Sequence, residues 1–503
     1  MLLKISYLLL WARLLSKIPL ATNPNANLDF EHSLVIALYN HYPTSKSVYI
    51  KDDRTGGTFN YKSACTNLKI DNGIVFAAKD GGFWERALAD TVKLSWYKLN
   101  SKNLDNSTIL RKGIQAAIDN RASIVSFPPG GIYRVQSGNY WTIPNKLKLT
   151  IDGNRSTIIV DKKASVLAQE TYIMAFKCSD DNSLDTRVTI KNLNIKAPAI
   201  LPRWTNTDYK AHRLVIAIET DGVYTVNISN CKLSDICGYG IRLKNFVTAI
   251  IDGVTENNVG GHFPIENGND SFGDGIWLGH YDVQNVRQSR RNTNAKISNC
   301  TIKGYNTSTN GNFASRSGIT LEAFNSFAPD ILMNVSVTNT TISDYDRNLH
   351  VEGISSRINY SNCKITDFFG IALIVKSINT HLTYDKCTAF GLLKANPKQE
   401  RYGLGGVMQF DSSVDLFLTN NSVFTFNGPA SFRANLHVIK NSVLDFGNAD
   451  VFFDHANLYV NTGGSLINIP SQVKRGFNMY GSSVELNNKK IDLNGKFKGR
   501  VLK

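Results

Sequence analysis

The chain repeats itself. Tyr239-Gly240-Ile241-Arg242-Leu243, Asp274-Gly275-Ile276-Trp277-Leu278, Ser317-Gly318-Ile319-Thr320-Leu321, Arg347-Asn348-Leu349-His350-Val351 and Phe369-Gly370-Ile371-Ala372-Leu373 superpose with one apolar pattern. Four of them carry glycine before the first apolar residue, and Asn348 takes that place in the other. Leu214-Val215-Ile216-Ala217-Ile218 fits without the glycine. Recurrence of this kind is the mark of a stacked-repeat architecture.

A second motif recurs between the copies of the first. Asn227-Ile228-Ser229-Asn230-Cys231-Lys232-Leu233 returns as Lys296-Ile297-Ser298-Asn299-Cys300-Thr301-Ile302 and as Asn359-Tyr360-Ser361-Asn362-Cys363-Lys364-Ile365. Apolar and polar residues alternate, so each piece reads as a strand with one buried face. Ile216 to Ile241 is 25 residues and Leu349 to Ile371 is 22, lengths that suit one turn of a parallel β-helix. Like residues of stacked turns lie about 4.8 Å apart. Asn230, Asn299, Asn339 and Asn362 then form an asparagine ladder at a bend, where Asn tolerates the left-handed conformation. The expected fold is all-β, a single-stranded right-handed parallel β-helix.

The 503 residues carry a net charge of +15. Lys and Arg are scattered, with no nucleic-acid-binding module, so an acidic polysaccharide is the expected partner. Seven cysteines include no CxxC pair, which points away from a metal cluster or a disulfide framework. Cys231, Cys300 and Cys363 share one repeat position and read as an inward stack of small side chains. Residues 1–21 are apolar but interrupted by Arg13 and Lys17, the pattern of a signal peptide or an amphipathic docking segment. No later segment is long enough to span a membrane.

Residues 22–105 lack the repeat and read as a small β module: Gly56-Gly57-Thr58-Phe59-Asn60-Tyr61, Asp71-Asn72-Gly73-Ile74-Val75 and Phe83-Trp84-Glu85-Arg86 are short strands and glycine turns. Ile109 to Asn120 places Ile114, Ala117 and Ile118 on one helical face, suited to capping the open first coil. The β-helix occupies 106–503. Helix Gly113–Asn120 followed by Ser126-Phe127-Pro128-Pro129-Gly130 resembles the entry to the pectate-lyase-like superfamily of right-handed β-helices. The upstream module is similar to the linker ahead of the β-helix in phage tailspike depolymerases and related bacterial proteins. The resemblance covers most of residues 45–500. It implies a carbohydrate substrate and a secreted, cell-surface or virion-associated protein, with a homotrimer as one open assembly. It implies no particular reaction, and no catalytic residue carries over by motif.

Between the inward positions of the aligned strands lie two outward columns. The first reads Ala217, Arg242, Trp277, Thr320, His350, Ala372, and the second Glu219, Lys244, Gly279, Glu322, Glu352, Ile374. Glu322 and Glu352 fall on successive turns, and stacked carboxylates repel, which splits their pKa values into an acid and a base. Asp274 and Asp346 sit at the turns before their strands and are substitutes for either. His350 is a candidate base or sugar contact. Arg242, Lys244 and Arg347 are candidates to hold anionic groups of the substrate, and Tyr239, Trp277 and His280 to contact sugar. Ile241 to Ile276 is 35 residues and Ile276 to Ile319 is 43, so extra chain at 253–273, 281–294 and 303–316 is expected to wall a groove here. Aromatics gather in the same region: Trp204, Tyr239, Phe263, Trp277, Tyr281, Tyr305, Phe324, Phe327 and Tyr345.

Three functions fit these residues. A glycoside hydrolase would use Glu322 and Glu352 and needs no cofactor. A polysaccharide lyase would use Lys244, Arg242 or His350, and its Glu column could bind Ca²⁺. A glycan-binding protein without activity would use the groove alone.

Overall fold

The computed structural model describes residues 28–29, 38–41, 46–52, 56–63, 70–87, 90–161, 170–178, 185–197, 214–260, 262–264, 273–281, 292–305, 313–324, 328–368, 370–377 and 379–391, and shorter stretches between 407 and 491. Residues 1–21 and the basic tail Gly495–Lys503 lie outside them.

The protein is a right-handed parallel β-helix. One coil shows the plan. Gly238–Lys244 runs along one face, Thr248–Asp252 along the second and Thr255–Val259 along the third. The next coil repeats them as Ile276–Tyr281, Asn292–Ser298 and Thr301–Lys303, each strand parallel to its predecessor. Strands of the first face form a thirteen-stranded sheet that carries the outward columns.

The bends explain the second motif. Asn192, Asn230, Asn299, Asn339, Asn362, Asn421 and Asn441 all have φ between +49° and +67°, and Gly253 and Gly463 fill the same place in other coils. A left-handed residue costs an ordinary side chain about 1–2 kcal/mol, and Asn recovers part of that through local hydrogen bonds. Asn339 Nδ2 donates to Asn299 Oδ1 (3.3 Å), and Asn299 Nδ2 to Asp252 Oδ1 (2.8 Å). The cysteine that follows points inward: Cys231, Cys300, Cys363 and Cys387 are all buried thiols.

The glycine of the first motif has a packing cause. Two consecutive residues face the interior where each first-face strand begins: Gly240-Ile241, Gly275-Ile276, Gly318-Ile319 and Asn348-Leu349. A Cβ on Gly240 would lie 2.4 Å from Glu256 Oε1, and one on Gly318 2.6 Å from Ile342. This doubled inward pair also corrects the register at both ends of the alignment. Ile218, not Ile216, stands opposite Ile241, and Ala372, not Ile371, stands opposite Leu349. Ala217 and Ile371 therefore occupy the small-residue column.

The helix spans Ser107–Asp119 and buries Leu110, Gly113, Ile114 and Ala117 against the first coil. Ahead of it, strands Leu28–Asp29, Ser47–Lys51, Gly57–Lys62, Val75–Ala77 and Phe83–Arg86 form a separate sheet. That sheet has its own core of Val48, Phe59, Phe76 and Trp84. Thr91–Lys93 already pairs with Ile124–Ser126, so the coil begins before the helix and inside the 22–105 span. The extra chain beside the site is shorter than its expected limits. Thr255–Val259, Asn292–Ser298 and Thr301–Lys303 are coil strands, and His262–Pro264 pairs antiparallel with Phe313–Ser315.

Candidate active site

With the register corrected, three outward columns stand on the first face. Tyr239, Ser317 and Arg347 belong to one, with Asp274 opposite Tyr239. Glu219, Arg242, Trp277, Thr320, His350 and Leu373 form the next. Asp221, Lys244, Gly279, Glu322, Glu352 and Val375 form the third. The pairing of Glu322 with Glu352 on adjacent coils is the one expected.

The lower part of this face is closed by its own ion pairs. Arg242 Nε donates to Glu219, and Lys244 Nζ donates to the other Glu219 oxygen at 3.1 Å. All three side chains are buried or nearly so. Burial and the neighbouring guanidinium pull the Lys244 pKa down, against the attraction of Glu219. The Arg242 guanidinium also lies 4.8 Å from the Tyr239 ring centre. Tyr239, Ile216 and Trp277 form an apolar cluster on the outside of the coil, with Tyr172 at its edge. Arg242, Lys244 and Tyr239 thus serve one another here, whereas the sequence reading gave them to substrate.

Above this lies a cluster of carboxyls and cations on three successive coils. Trp277 Nε1 donates to Glu322 Oε2 at 2.8 Å. Arg316, from the start of the strand Phe313–Phe324, donates to Asp274 Oδ2 at 3.4 Å. Burial raises the Asp274 pKa, with Glu322 adding repulsion, while Arg316 and His350 oppose the shift. On the next coil the partners run in a line. Asp346 accepts from Arg347 Nε (3.1 Å), Arg347 Nη1 meets His350 Nδ1 (3.2 Å), and His350 Nε2 meets Glu352 Oε2 (3.1 Å).

A guanidinium can only donate, so His350 Nδ1 is the acceptor and the ring proton sits on Nε2. His350 therefore donates to Glu352, which lowers the Glu352 pKa; Arg316 and Lys376 add to the effect. Both ring nitrogens are engaged, so this ring orients Glu352 and has no free lone pair with which to act as a base. Glu352 is also the most open member, with 35 % of its side chain exposed, whereas Asp274 is fully buried. One carboxyl is thus pushed towards its neutral form and another towards its ionised form within one field of Arg316.

His280 is not on this face. It is fully buried and stacks on Phe246, a core residue, with ring centres 6.4 Å apart. Parity explains the difference: Leu278 faces in and Gly279 out, so His280 faces in again. Trp204, Phe327 and the side chains of Phe263, Tyr281 and Phe324 lie outside the described residues. Tyr305 and Tyr345 are buried. Arg316 went unselected in the sequence, although it lies two residues ahead of the repeat glycine Gly318, close to the position that supplies Asp274 one residue ahead of Gly275. Among the described residues, no group of three or more His, Cys, Asp or Glu side chains is arranged to hold a metal ion. No helix among them is long and apolar enough to cross a membrane.

No family model matches the chain. No curated protein matches it by sequence. Solved structures similar in fold include the tailspike protein of Acinetobacter baumannii phage AM24, at 10 % identity and TM-score 0.46 over 84 % of this chain and 64 % of that one. The chain thus spans less than two thirds of that tailspike. The family 28 exopolygalacturonase of Yersinia enterocolitica aligns at 11 % identity and TM-score 0.48, over 83 % of each chain. PfbA, a surface adhesin of Streptococcus pneumoniae, aligns at 11 % identity and TM-score 0.45 over 79 % of this chain and 92 % of that one. These likenesses are of fold alone, and a fold does not by itself fix function.

Proposed function

We propose that the chain is a polysaccharide depolymerase, a glycoside hydrolase that cuts an acidic or capsular glycan at the face bearing Asp274, Glu322 and Glu352. The observation that carries this reading is the split between carboxyls: burial favours the proton on Asp274, and the His350 hydrogen bond favours its absence from Glu352. Carboxyls whose surroundings push their pKa values apart are the usual acid and base of glycosidic cleavage. Asp274 gives its proton to the glycosidic oxygen as the bond to the anomeric carbon breaks. Glu352 takes a proton from the water that attacks that carbon. Glu322, held by Trp277, adds negative charge beside the oxocarbenium-like centre. Arg347 and Arg316 supply positive charge for acidic substituents of the glycan.

A second reading rests on Lys244. Its lowered pKa makes it a candidate base for β-elimination from a uronic-acid polymer. A panel of acidic bacterial and plant polysaccharides separates the two when reducing ends and ultraviolet absorbance are followed together. Hydrolysis gives reducing ends alone. Asp274→Asn and Glu352→Gln should each lose about 10²–10⁴-fold in kcat with an unchanged melting temperature. A rise in absorbance from an unsaturated uronate, retained in both variants and lost in Lys244→Met, would replace hydrolysis by elimination. Binding of a glycan without any new ends would leave only a receptor.

A further inference from the structure

A cleft of about 700 Å³ stands apart from the candidate site, at the start of the coil. Three parts of the chain meet there: the turn before the strand Val75–Ala77 of the small sheet, the helix Ser107–Asp119, and Tyr140–Ile143, the first strand of the thirteen-stranded face. Clefts of that size between packed units are the usual seats of ligands. The floor is apolar, with Val75, Ala116 and Trp141 all buried. Tyr140 stands on the rim with 49 % of its surface exposed.

The walls are pinned to one another. The Tyr97 hydroxyl donates to Asp71 Oδ2 at 2.7 Å. Its ring lies between two glycines: a Cβ on Gly73 would come 2.2 Å from it, and one on Gly113 3.2 Å. Arg86 Nε donates to the Gly73 carbonyl oxygen at 2.9 Å, and its guanidinium lies 4.1 Å from the Trp96 ring centre. On the helix side, Trp141 Nε1 donates to the Arg111 carbonyl oxygen at 3.2 Å, and its ring stacks on Phe176 with centres 5.1 Å apart. A cleft already held open costs a ligand little in ordering.

Charge decides what kind of ligand fits. Asp71, Asp119, Arg111 and Lys112 all line the cleft. The carboxyls are occupied from within. Asp71 Oδ1 accepts the backbone N–H groups of Gly73, Ile74 and Val75, and Asp119 accepts from Gln115 Nε2 at 2.7 Å. The cations are exposed and nearly idle. Arg111 Nη2 reaches Ser137 Oγ at 3.5 Å and feels the charge of Asp105. Lys112 has no hydrogen bond or ion pair among the described residues. Tyr140 extends the outward column of Ala175, Glu219, Arg242 and Trp277. The carboxyls whose charge reaches it are Glu219 and Asp221. Both have partners: Glu219 has Arg242 and Lys244, and Asp221 accepts from the Asn245 amide at 2.9 Å.

We propose that this cleft is a second glycan site, which seats an acidic sugar with its ring against Tyr140 and its carboxylate on Arg111 and Lys112. An aromatic side chain offers an apolar face beside a polar tip, which suits a sugar ring, and cations bind carboxylate by charge-assisted hydrogen bonds. The site shares with the hydrolase reading the class of ligand, an acidic glycan, and does not require that the glycan be cut.

The test is calorimetric titration of the full chain carrying Glu352→Gln, so that cleavage does not intrude. The probes are hexamers of galacturonate, glucuronate and mannuronate, each with its carboxyl-reduced counterpart. Tyr140→Ala should weaken binding of an acidic hexamer and of its reduced form alike, by about tenfold. Arg111→Ala and Lys112→Ala should each weaken the acidic hexamer alone, by about three- to fivefold. All three side chains are exposed, so the variants should keep the parent melting temperature. No hexamer bound, or affinities unchanged in all three variants, would overturn the inference. So would equal losses for the reduced hexamer in Lys112→Ala. A hexaglutamate peptide bound as tightly, with the same dependence on Tyr140, would make this an acidic-peptide site instead. A lowered sedimentation coefficient in the variants without a change in affinity would give the cleft to a second copy of the chain. A wild type that binds as expected but forms no new reducing ends would sink the hydrolase reading and leave this site standing.

Discussion

At the scale of single residues, His350 is set by its neighbours. The Arg347 guanidinium occupies Nδ1 and fixes the proton on Nε2, and that proton holds Glu352 ionised. The proposed hydrolysis needs Glu352 ionised and Asp274 protonated. Activity should therefore fall at low pH as Glu352 gains a proton, below the ordinary carboxylate value of 4.5. It should fall at higher pH as Asp274 loses one, above the ordinary value of 3.8. His350→Ala removes the hydrogen bond and should move the acid limb upward, and because His350 also opposes the rise at Asp274, the alkaline limb should move upward with it. A pH profile of kcat/KM for the two proteins checks this. An acid limb that stays in place would mean that the His350 hydrogen bond does not hold Glu352 ionised.

At the scale of elements, each bend and each strand start imposes its own residue. Asn299 illustrates the first: φ is +55°, one amide hydrogen bond reaches Asp252 and another comes from Asn339. Asn299→Gly keeps the backbone conformation and loses the bonds. Asn299→Ala loses both, at roughly 1 kcal/mol more. Melting temperatures should rank wild type, then Gly, then Ala. Gly275 illustrates the second. Gly275→Ala drives a methyl into Tyr345 and Glu256 and should cost about 1–3 kcal/mol.

These two motifs were legible because each recurs at coil spacing, and they carried the fold. What was not legible followed from breaks in period two. The doubled inward pair shifted Ala217 and Ala372 out of their columns, and continuing the alternation one residue further would have turned His280 inward. Glu256 was hidden because Thr255-Glu256-Asn257-Asn258 has no apolar pattern; only its alignment with Lys232-Leu233 places a carboxyl in the leucine column.

At the scale of the whole molecule, charge and shape act together. The chain carries a net charge of +15, which attracts a polymer of opposite charge. At the candidate site the local cations Arg316 and Arg347 are both buried and each lies beside an aspartate carboxyl group. Capture of a polymer would therefore fall to the scattered exposed Lys and Arg, and orientation to the buried pair. These contributions respond differently to salt, because exposed charges are screened beyond about 8–10 Å at 0.1–0.15 M ionic strength while buried pairs are screened much less. On an acidic glycan, kcat/KM should fall several-fold between 0.05 M and 0.5 M NaCl through KM, with kcat nearly constant. On a neutral or carboxyl-reduced version of the same glycan, kcat/KM should be nearly independent of salt. Initial rates of reducing-end formation on the two polymers measure this. An equal salt effect on both would mean that net charge plays no part in capture, and that the glycan is recognised by the uncharged groups of the site.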